Sequence, residues 1–222
     1  TVSVNKMRFN KLFGIGLPRT GTTSLNIALN TLGISSVHFP FSLYENNDRI
    51  ILDQYTAFID TPIPLLYQEL DQLCPNSGFI LTTRSVEDWL NSMEWLLTEG
   101  VKIWGSNSVR DSYKKDFFGS ATFDLDLYRS HYFQFHKAVK SYFQNRNDLL
   151  ILDLDAGYGY KEICQFLEIQ PIPEQEYPRG NESRQASLLQ KLAYQSGQHN
   201  YRIEKLIRKL DYYYKRALKH LK

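Results

Sequence analysis

The chain has 222 residues, of which 42% are hydrophobic and 23% are charged, and its formal net charge is +2. This composition indicates one globular domain that is large enough to bury a sizeable core. No apolar run approaches the roughly 20 residues that a membrane span needs, so we expect no transmembrane segment. The two cysteines, Cys74 and Cys164, lie far apart without metal-ligand spacing, which argues against a disulfide scaffold or a zinc site and favours the reducing cytoplasm.

The first predicted elements are a β-strand, a glycine-rich loop and an amphipathic helix within residues 12–33. The loop fits a phosphate-binding pattern that is bounded by Gly16 and Gly21, but Thr22 stands where the lysine of a nucleoside triphosphate site would be. What remains is a predicted anion site of backbone N–H groups at a helix N-terminus. Arg19 supplies a positive charge. Four hydroxyl side chains flank the site: Thr20, Thr22, Thr23 and Ser24.

Four further apolar runs of strand length alternate with amphipathic helical patterns. The predicted strands cover residues 34–39, 56–59, 78–83 and 149–154, and the predicted helices cover residues 67–73, 86–97, 128–143 and 160–167. This alternation predicts an α/β fold with a parallel β-sheet flanked by helices. Ligands of such sheets bind beyond the carboxyl ends of the strands, so functional side chains are expected at those positions.

Three of these strand ends carry such side chains. His38 ends the second predicted strand, Asp60 the third, and Arg84 the fourth. Ser85 and Asp88 then form a predicted capping box, which begins a helix that also carries Ser92.

Residues 103–126 are the least regular part of the sequence, and long irregular insertions are often lids or binding loops. Four aromatic side chains in this insertion either line a pocket or pin it to the body of the domain: Trp104, Phe117, Phe118 and Phe123. We favour the second interpretation.

The apolar run at residues 149–155 ends in acidic residues and is similar to the magnesium-binding strand of nucleoside triphosphatases. Because the lysine of the phosphate loop is missing, we interpret this run as the last strand of the core. A P-loop kinase or nucleoside triphosphatase that binds magnesium through Asp153 is the alternative.

The segment LPRTGTTSL resembles the phosphosulfate-binding loop of the sulfotransferases, which bind 3′-phosphoadenosine 5′-phosphosulfate (PAPS) on a P-loop-type fold. In that family the cation of the loop has the position of Arg19, and a Thr-Thr pair follows the glycine. Arg84, followed eight residues later by Ser92, resembles the family's site for the 3′-phosphate. Arg179 has the position of a basic loop that many members bring to the same phosphate. The resemblance covers roughly residues 13–181 in the correct order.

This resemblance implies transfer of a sulfuryl group from PAPS to a hydroxyl or amine of a small molecule or glycan, which leaves PAP as the product. It implies no metal, and we expect no nucleic-acid partner. A general base would deprotonate the acceptor, with Asp60 as the first candidate and His38 as the second. Ser24 stands where the cytosolic steroid and phenol enzymes carry a tryptophan, so the residue that stacks on adenine is unassigned. A catalytically inactive PAP-binding module is a further alternative.

The C-terminal segment 186–222 is basic and has apolar residues at helical spacing, which predicts an amphipathic helix that follows a sulfotransferase-like domain at residues 1–185. Packing of this helix across the domain is the simplest interpretation. A homodimer contact, peripheral membrane attachment and attraction of an anionic substrate are alternatives.

Overall fold

The computed structural model describes residues 7–179, except for the side chains of Ile103 and Trp104. The predicted tail at 186–222, its partners and the domain boundary before it lie outside the described residues, as does the expectation for the Trp104 side chain.

Five parallel strands form one sheet in the order β2-β3-β1-β4-β5, which confirms the predicted α/β fold. The strands are β1 Lys11–Gly14, β2 Ser36–His38, β3 Ala57–Ile59, β4 Ser77–Thr83 and β5 Leu149–Asp153. The central strands read as continuous apolar runs because both faces of the sheet are covered by helices.

Helices cover the two faces of the sheet and divide the core into two layers. The helices are α1 Thr22–Thr31, α2 Ser42–Glu45, α3 Ile51–Gln54, α4 Ile63–Leu73, α5 Val86–Trp95, α6 Val101–Trp104, α7 Ser108–Phe118, α8 Leu125–Tyr142 and α9 Tyr160–Leu167. A π-helical turn, Leu96–Gly100, joins α5 to α6. Along β1, Leu12 packs in the layer that contains α1 and α9, and Phe13 packs in the layer that contains α4, α5, α7 and α8. Successive side chains point to opposite faces of a strand, so β1 contributes to both layers.

The prediction that residues 103–126 are irregular was wrong, because most of them lie in α6 and α7. The Asn107 side chain accepts a hydrogen bond from the Arg110 N–H at 2.8 Å and caps the start of α7, and Gly119 (φ +84°) ends the helix. Among the eleven residues of α7 the fully buried ones are Tyr113 and Phe118, so the helix has a weak amphipathic signal.

The aromatic side chains of this region pin it to the body of the domain. The Phe118 ring stacks on Tyr128 of α8 with ring centroids 4.9 Å apart, and Phe117 contacts Phe135 of α8 edge to face. Phe123 also lies against Tyr128. The pinning interpretation is therefore confirmed for these three phenylalanines.

Candidate active site

The glycine-rich loop follows β1 at the carboxyl edge of the sheet, and a buried hydrogen bond holds it against β4. The Thr20 hydroxyl lies 2.7 Å from the Thr82 hydroxyl and donates to the Leu17 carbonyl oxygen, also at 2.7 Å. A Cβ at Gly16 would lie 1.9 Å from Thr82 Oγ1 and 2.8 Å from Thr20 Oγ1. Only glycine leaves room for these two hydroxyls, so Thr20 supports the loop from inside the protein.

The glycine-rich loop ends at the start of α1, where the backbone N–H groups of the first helical turn lie. Gly21 precedes the helix with φ +89°, and a Cβ there would lie 2.2 Å from Leu154 Cδ1. No side chain of residues 7–179 caps this helix, and its first turn contains no acidic residue. Arg19 also has a positive φ, of 73°, which is uncommon for a residue with a side chain. Uncapped N–H groups at a helix start carry a partial positive charge and suit an anion.

The structure brings together the two cationic positions that are far apart in sequence. Arg19 Nε donates to Ser92 Oγ at 2.9 Å, and the Arg19 guanidinium lies over the Trp95 ring, 5.8 Å from its centroid. Arg84 donates from Nη1 to the Arg19 carbonyl oxygen at 3.3 Å. Burial lowers the pKa of Arg19; the Asp60 carboxylate raises it and the nearby Arg84 lowers it. Two adjacent guanidinium groups at an uncapped helix start form an anion-attracting region.

The start of α5 holds the Arg84 backbone in place. Ser85 Oγ accepts a hydrogen bond from the Asp88 N–H at 3.2 Å, which confirms the predicted cap. The Ser85 N–H donates to Asp155 Oδ2 at 2.6 Å, and the Tyr132 hydroxyl donates to the Arg84 carbonyl oxygen at 2.6 Å. The Arg84 side chain is about one-third exposed at 32%, and Asp88 Oδ2 lies 4.0 Å from its Nη2. The guanidinium can therefore reach a ligand while its backbone is fixed.

Asp60 and His38 form a largely buried pair, because β2 and β3 are neighbours, His38 is the last residue of β2 and Asp60 directly follows β3. His38 Nε2 lies 2.9 Å from Asp60 Oδ2, and the Thr22 hydroxyl donates to the same oxygen at 2.9 Å. The other carboxylate oxygen accepts a hydrogen bond from the Thr61 N–H at 2.7 Å. Thr23 Oγ1 lies 3.4 Å from His38 Nε2. The pair thus adjoins the first turn of α1.

The environment of Asp60 keeps it ionised. Burial alone would raise the pKa of this carboxyl group, but the charge of His38 and the hydrogen bonds from His38, Thr61 and Thr22 lower it to about 2. A general base needs a pKa that is raised towards the working pH, and the pKa of Asp60 is shifted in the opposite direction. Asp60 is therefore suited to orient His38.

Replacing Asp60 with asparagine is expected to lower the free energy of unfolding by about 2 kcal/mol at neutral pH. Because the pKa of Asp60 is lower in the folded protein than in the unfolded chain, its stabilisation is present above about pH 4 and is lost as the pH falls towards 2. Urea unfolding at pH 7, 4 and 3 should show the difference between wild type and variant narrowing in acid. The exposed Asp126→Asn is the control; a difference for Asp60→Asn that does not narrow in acid would contradict this account.

The other residues predicted to bind the donor differ in how deeply they are buried. Thr22 and Ser24 are buried in the first turn of α1, Thr23 is half-buried, and Arg179 is exposed. Arg179 forms no hydrogen bond or ion pair with any other residue of the 7–179 segment. The structure therefore groups the loop, Arg84 and Ser92 but does not link Arg179 to them.

Several residues near the site had not been predicted. Trp89 Nε1 donates to the Pro18 carbonyl oxygen at 2.9 Å and so supports the loop from α5, and Trp95 lies under the Arg19 guanidinium. Both belong to the predicted helix 86–97, where aromatic residues at helical spacing indicate only packing against the core. Tyr113 of α7 is buried beside Asp60 and Thr61, in a region where no helix had been predicted.

The acidic residues that end β5 stabilise a turn. Asp153 Oδ1 accepts hydrogen bonds from the N–H groups of Asp155 at 3.0 Å and Ala156 at 3.3 Å. Across residues 7–179, none of the His, Cys, Asp and Glu side chains cluster in a way that could hold a metal ion. None of the helices in this range combines the length and the apolar character that crossing a bilayer requires.

Comparison with known proteins identifies the family of the chain that carries this site. The family model of the sulfotransferase domain matches residues 11–51 and 45–186, which contain the loop, the His38–Asp60 pair, Arg84 and Ser92. The chain is also similar to "Ava biosynthesis cluster protein M" of Aspergillus versicolor, with 26% identity over an alignment of 214 residues that covers 76% of this chain and 79% of that protein. The matched segments span most of the chain, and we conclude that it belongs to the sulfotransferase domain family.

Proposed function

We propose that this protein transfers a sulfuryl group from PAPS to a hydroxyl or amine group of a small-molecule or glycan acceptor. The observation that carries the proposal is the convergence of Arg19, Arg84 and Ser92 beside the uncapped start of α1. A donor with phosphate groups at both its 5′ and 3′ positions needs cationic contacts at two separate places. The two free cysteines, Cys74 and Cys164, support the further proposal of a cytoplasmic protein.

The residues present fit such a donor. The amides that follow Gly21 suit the 5′-phosphosulfate, because they form the start of a helix without a capping side chain. The planar fork of Arg84 suits the 3′-phosphate, since a guanidinium donates two parallel hydrogen bonds to phosphate oxygens. Gly16 keeps the loop close to β4, which leaves its upper surface for the ligand. Thr22 stands in the position of the lysine of a triphosphate site, and its hydroxyl donates to Asp60, so the positive charge of this loop comes from Arg19.

Bound PAPS would supply an activated sulfuryl group whose departure leaves negative charge on the 5′-phosphate. Arg19 and the loop amides stabilise that charge, as preorganised donors do in other group transfers. His38 takes the proton of the acceptor, and Asp60 holds the imidazole ring in place through Nε2. Orienting the acceptor and the donor in line contributes the remaining part of the catalysis.

The role of Arg84 gives a selective prediction. Arg84→Ala is expected to weaken PAP binding about 10- to 100-fold, because it removes a charge-assisted contact to phosphate. Binding of adenosine 5′-phosphosulfate, which has no 3′-phosphate, should be unchanged. Isothermal titration calorimetry with both ligands measures the two effects.

Arg129 is a matched control for this experiment. It lies on α8, pairs with Glu87 in the first turn of α5, and so places a second guanidinium near the same helix start. Arg129→Ala should bind PAP like the wild type. Equal losses of PAP and adenosine 5′-phosphosulfate in Arg84→Ala would remove Arg84 from the 3′-phosphate site.

A further inference from the structure

The peptide group that joins Arg84 to Ser85 is held at both ends by side chains. The Arg84 carbonyl oxygen accepts a hydrogen bond from the Tyr132 hydroxyl at 2.6 Å, and the Ser85 N–H donates to Asp155 Oδ2, also at 2.6 Å. The two backbone groups belong to one planar unit. Because β4 ends one residue before Arg84 and α5 begins one residue after Ser85, this unit lies between the strand and the helix. Side chains from α8 and from the turn after β5 therefore supply its hydrogen bonds.

The two side chains that hold this peptide group are themselves fixed. The Tyr132 ring lies 5.2 Å from that of Trp89 and 4.1 Å from that of His136, measured between centroids, and the residue is only 8% exposed. Burial raises the pKa of Tyr132, and the charges of Asp153 and Asp155 add to the effect, so the phenol keeps its proton and is a donor. The Asp155 N–H donates to Asp153 Oδ1 at 3.0 Å, which ties the second side chain to the end of β5.

The orientation of this peptide plane sets the direction of the Arg84 side chain. The plane is joined directly to the Arg84 Cα, so a rotation that tilts the plane breaks both hydrogen bonds and changes where the side chain points. The ring of Tyr132 does not need its hydroxyl for packing, since a phenylalanine would contact Trp89 and His136 in the same way. The specific contribution of the hydroxyl is therefore to hold the Arg84 carbonyl group.

We infer that Tyr132 and Asp155 are positioning residues for the 3′-phosphate of the donor; the inference rests on the proposed sulfuryl transfer. They fix the backbone of Arg84 before the donor arrives, so less conformational freedom is lost when the guanidinium binds phosphate. The 5′-phosphosulfate binds the loop amides in this proposal, so the contribution of both residues falls on the 3′-phosphate. Tyr132 and Asp155 thus increase the preference for PAP over adenosine 5′-phosphosulfate, and they do so through Arg84.

A first test removes the hydroxyl of Tyr132. Tyr132→Phe is expected to weaken PAP binding about 3- to 10-fold, the value of one hydrogen bond, and to leave the binding of adenosine 5′-phosphosulfate unchanged. Isothermal titration calorimetry with both ligands measures the ratio of the two affinities.

Tyr128→Phe is the matched control, because Tyr128 is also buried on α8 and its hydroxyl donates to the Ser120 carbonyl oxygen at 3.2 Å. Both variants lose one hydrogen bond to a backbone carbonyl group, so both should lower the midpoint of urea unfolding. Only Tyr132→Phe should change the ratio of the two affinities. An unchanged ratio in Tyr132→Phe would make its hydroxyl structural and overturn the inference.

A second test uses two substitutions of Asp155 that remove the same charge. The side-chain oxygen of asparagine can still accept the Ser85 N–H, and alanine has no such acceptor. Asp155→Ala is therefore expected to bind PAP about 3- to 10-fold more weakly than Asp155→Asn, with equal affinities of the two variants for adenosine 5′-phosphosulfate. Equal affinities of the two variants for PAP would overturn the inference for Asp155.

A double substitution tests whether Tyr132 acts through Arg84. In Arg84→Ala there is no guanidinium to position, so the addition of Tyr132→Phe should cause no further loss of PAP affinity. A further loss as large as that in the wild-type background would place the effect of Tyr132 elsewhere and overturn the inference. If the wild type prefers PAP to adenosine 5′-phosphosulfate and only these results fail, the proposed function stands; if the wild type does not bind PAP, the proposed function fails and the inference fails with it.

Discussion

Replacing His38 with glutamine is expected to lower kcat about 10²- to 10⁴-fold, the range that general-base catalysis contributes in other enzymes. The glutamine amide N–H can replace Nε2 as a donor to Asp60, so the buried carboxylate keeps a partner and the fold is retained. The amide has no group that accepts a proton near neutral pH. PAP affinity should therefore be unchanged, which separates the loss of the base from the loss of the donor site.

His131 provides a control for this substitution. It is a second buried histidine, packed against Phe117, Phe118 and Phe135, and burial and, to a smaller degree, His136 lower its pKa to about 4. The ring is therefore neutral at pH 7, and His131→Phe should leave kcat unchanged. A His38→Gln variant that retains wild-type kcat would remove His38 as the base and return attention to Asp60.

The second large effect is expected at the glycine-rich loop. In Gly16→Ala the new Cβ would lie 1.9 Å from Thr82 Oγ1, so the loop has to move away from β4. A displacement of about 1 Å in an active site can lower activity about 10²-fold. We therefore expect the affinity for PAP to fall by about 10²-fold or more. Overpacking at such a site lowers the free energy of unfolding by about 1–3 kcal/mol. Calorimetry with PAP and urea unfolding measure the two effects.

Gly33→Ala is the control that distinguishes the effect of the Gly16 contact from the effect of replacing a glycine elsewhere in the chain. Gly33 has φ +78°, and a Cβ there would have no neighbouring atom within 4 Å, so alanine introduces backbone strain without a clash. It should lower stability by about 1–2 kcal/mol and leave PAP affinity unchanged. Equal affinities of the two variants for PAP would show that the Gly16 contact does not shape the donor site.

The fold could be predicted because its signals are local. The strands of this sheet read as apolar runs, and α9 has the bounds that its spacing predicted. The capping hydrogen bond of Ser85 follows from the spacing of two residues in sequence. The glycine-rich loop was recognisable because its glycines and hydroxyls occur within a few residues of each other.

The contacts inside the site could not be predicted in the same way. The His38–Asp60 pair depends on β2 and β3 being neighbours in the sheet, and the Arg19–Ser92 bond joins residues that are 73 positions apart. The direction of the Asp60 pKa shift also depends on this geometry, because burial and hydrogen bonding act in opposite directions and only the structure gives their balance. Tyr113 was missed because the helix that carries it buries few of its residues.

The central claim is that the protein has a donor site for PAPS, and a calorimetric titration of the wild type tests it most directly. We expect metal-independent binding of PAP, much weaker binding of adenosine 5′-phosphosulfate, and no binding of ATP with Mg²⁺ at comparable concentrations. Binding of ATP with Mg²⁺ without binding of PAP would contradict this claim and favour a P-loop kinase.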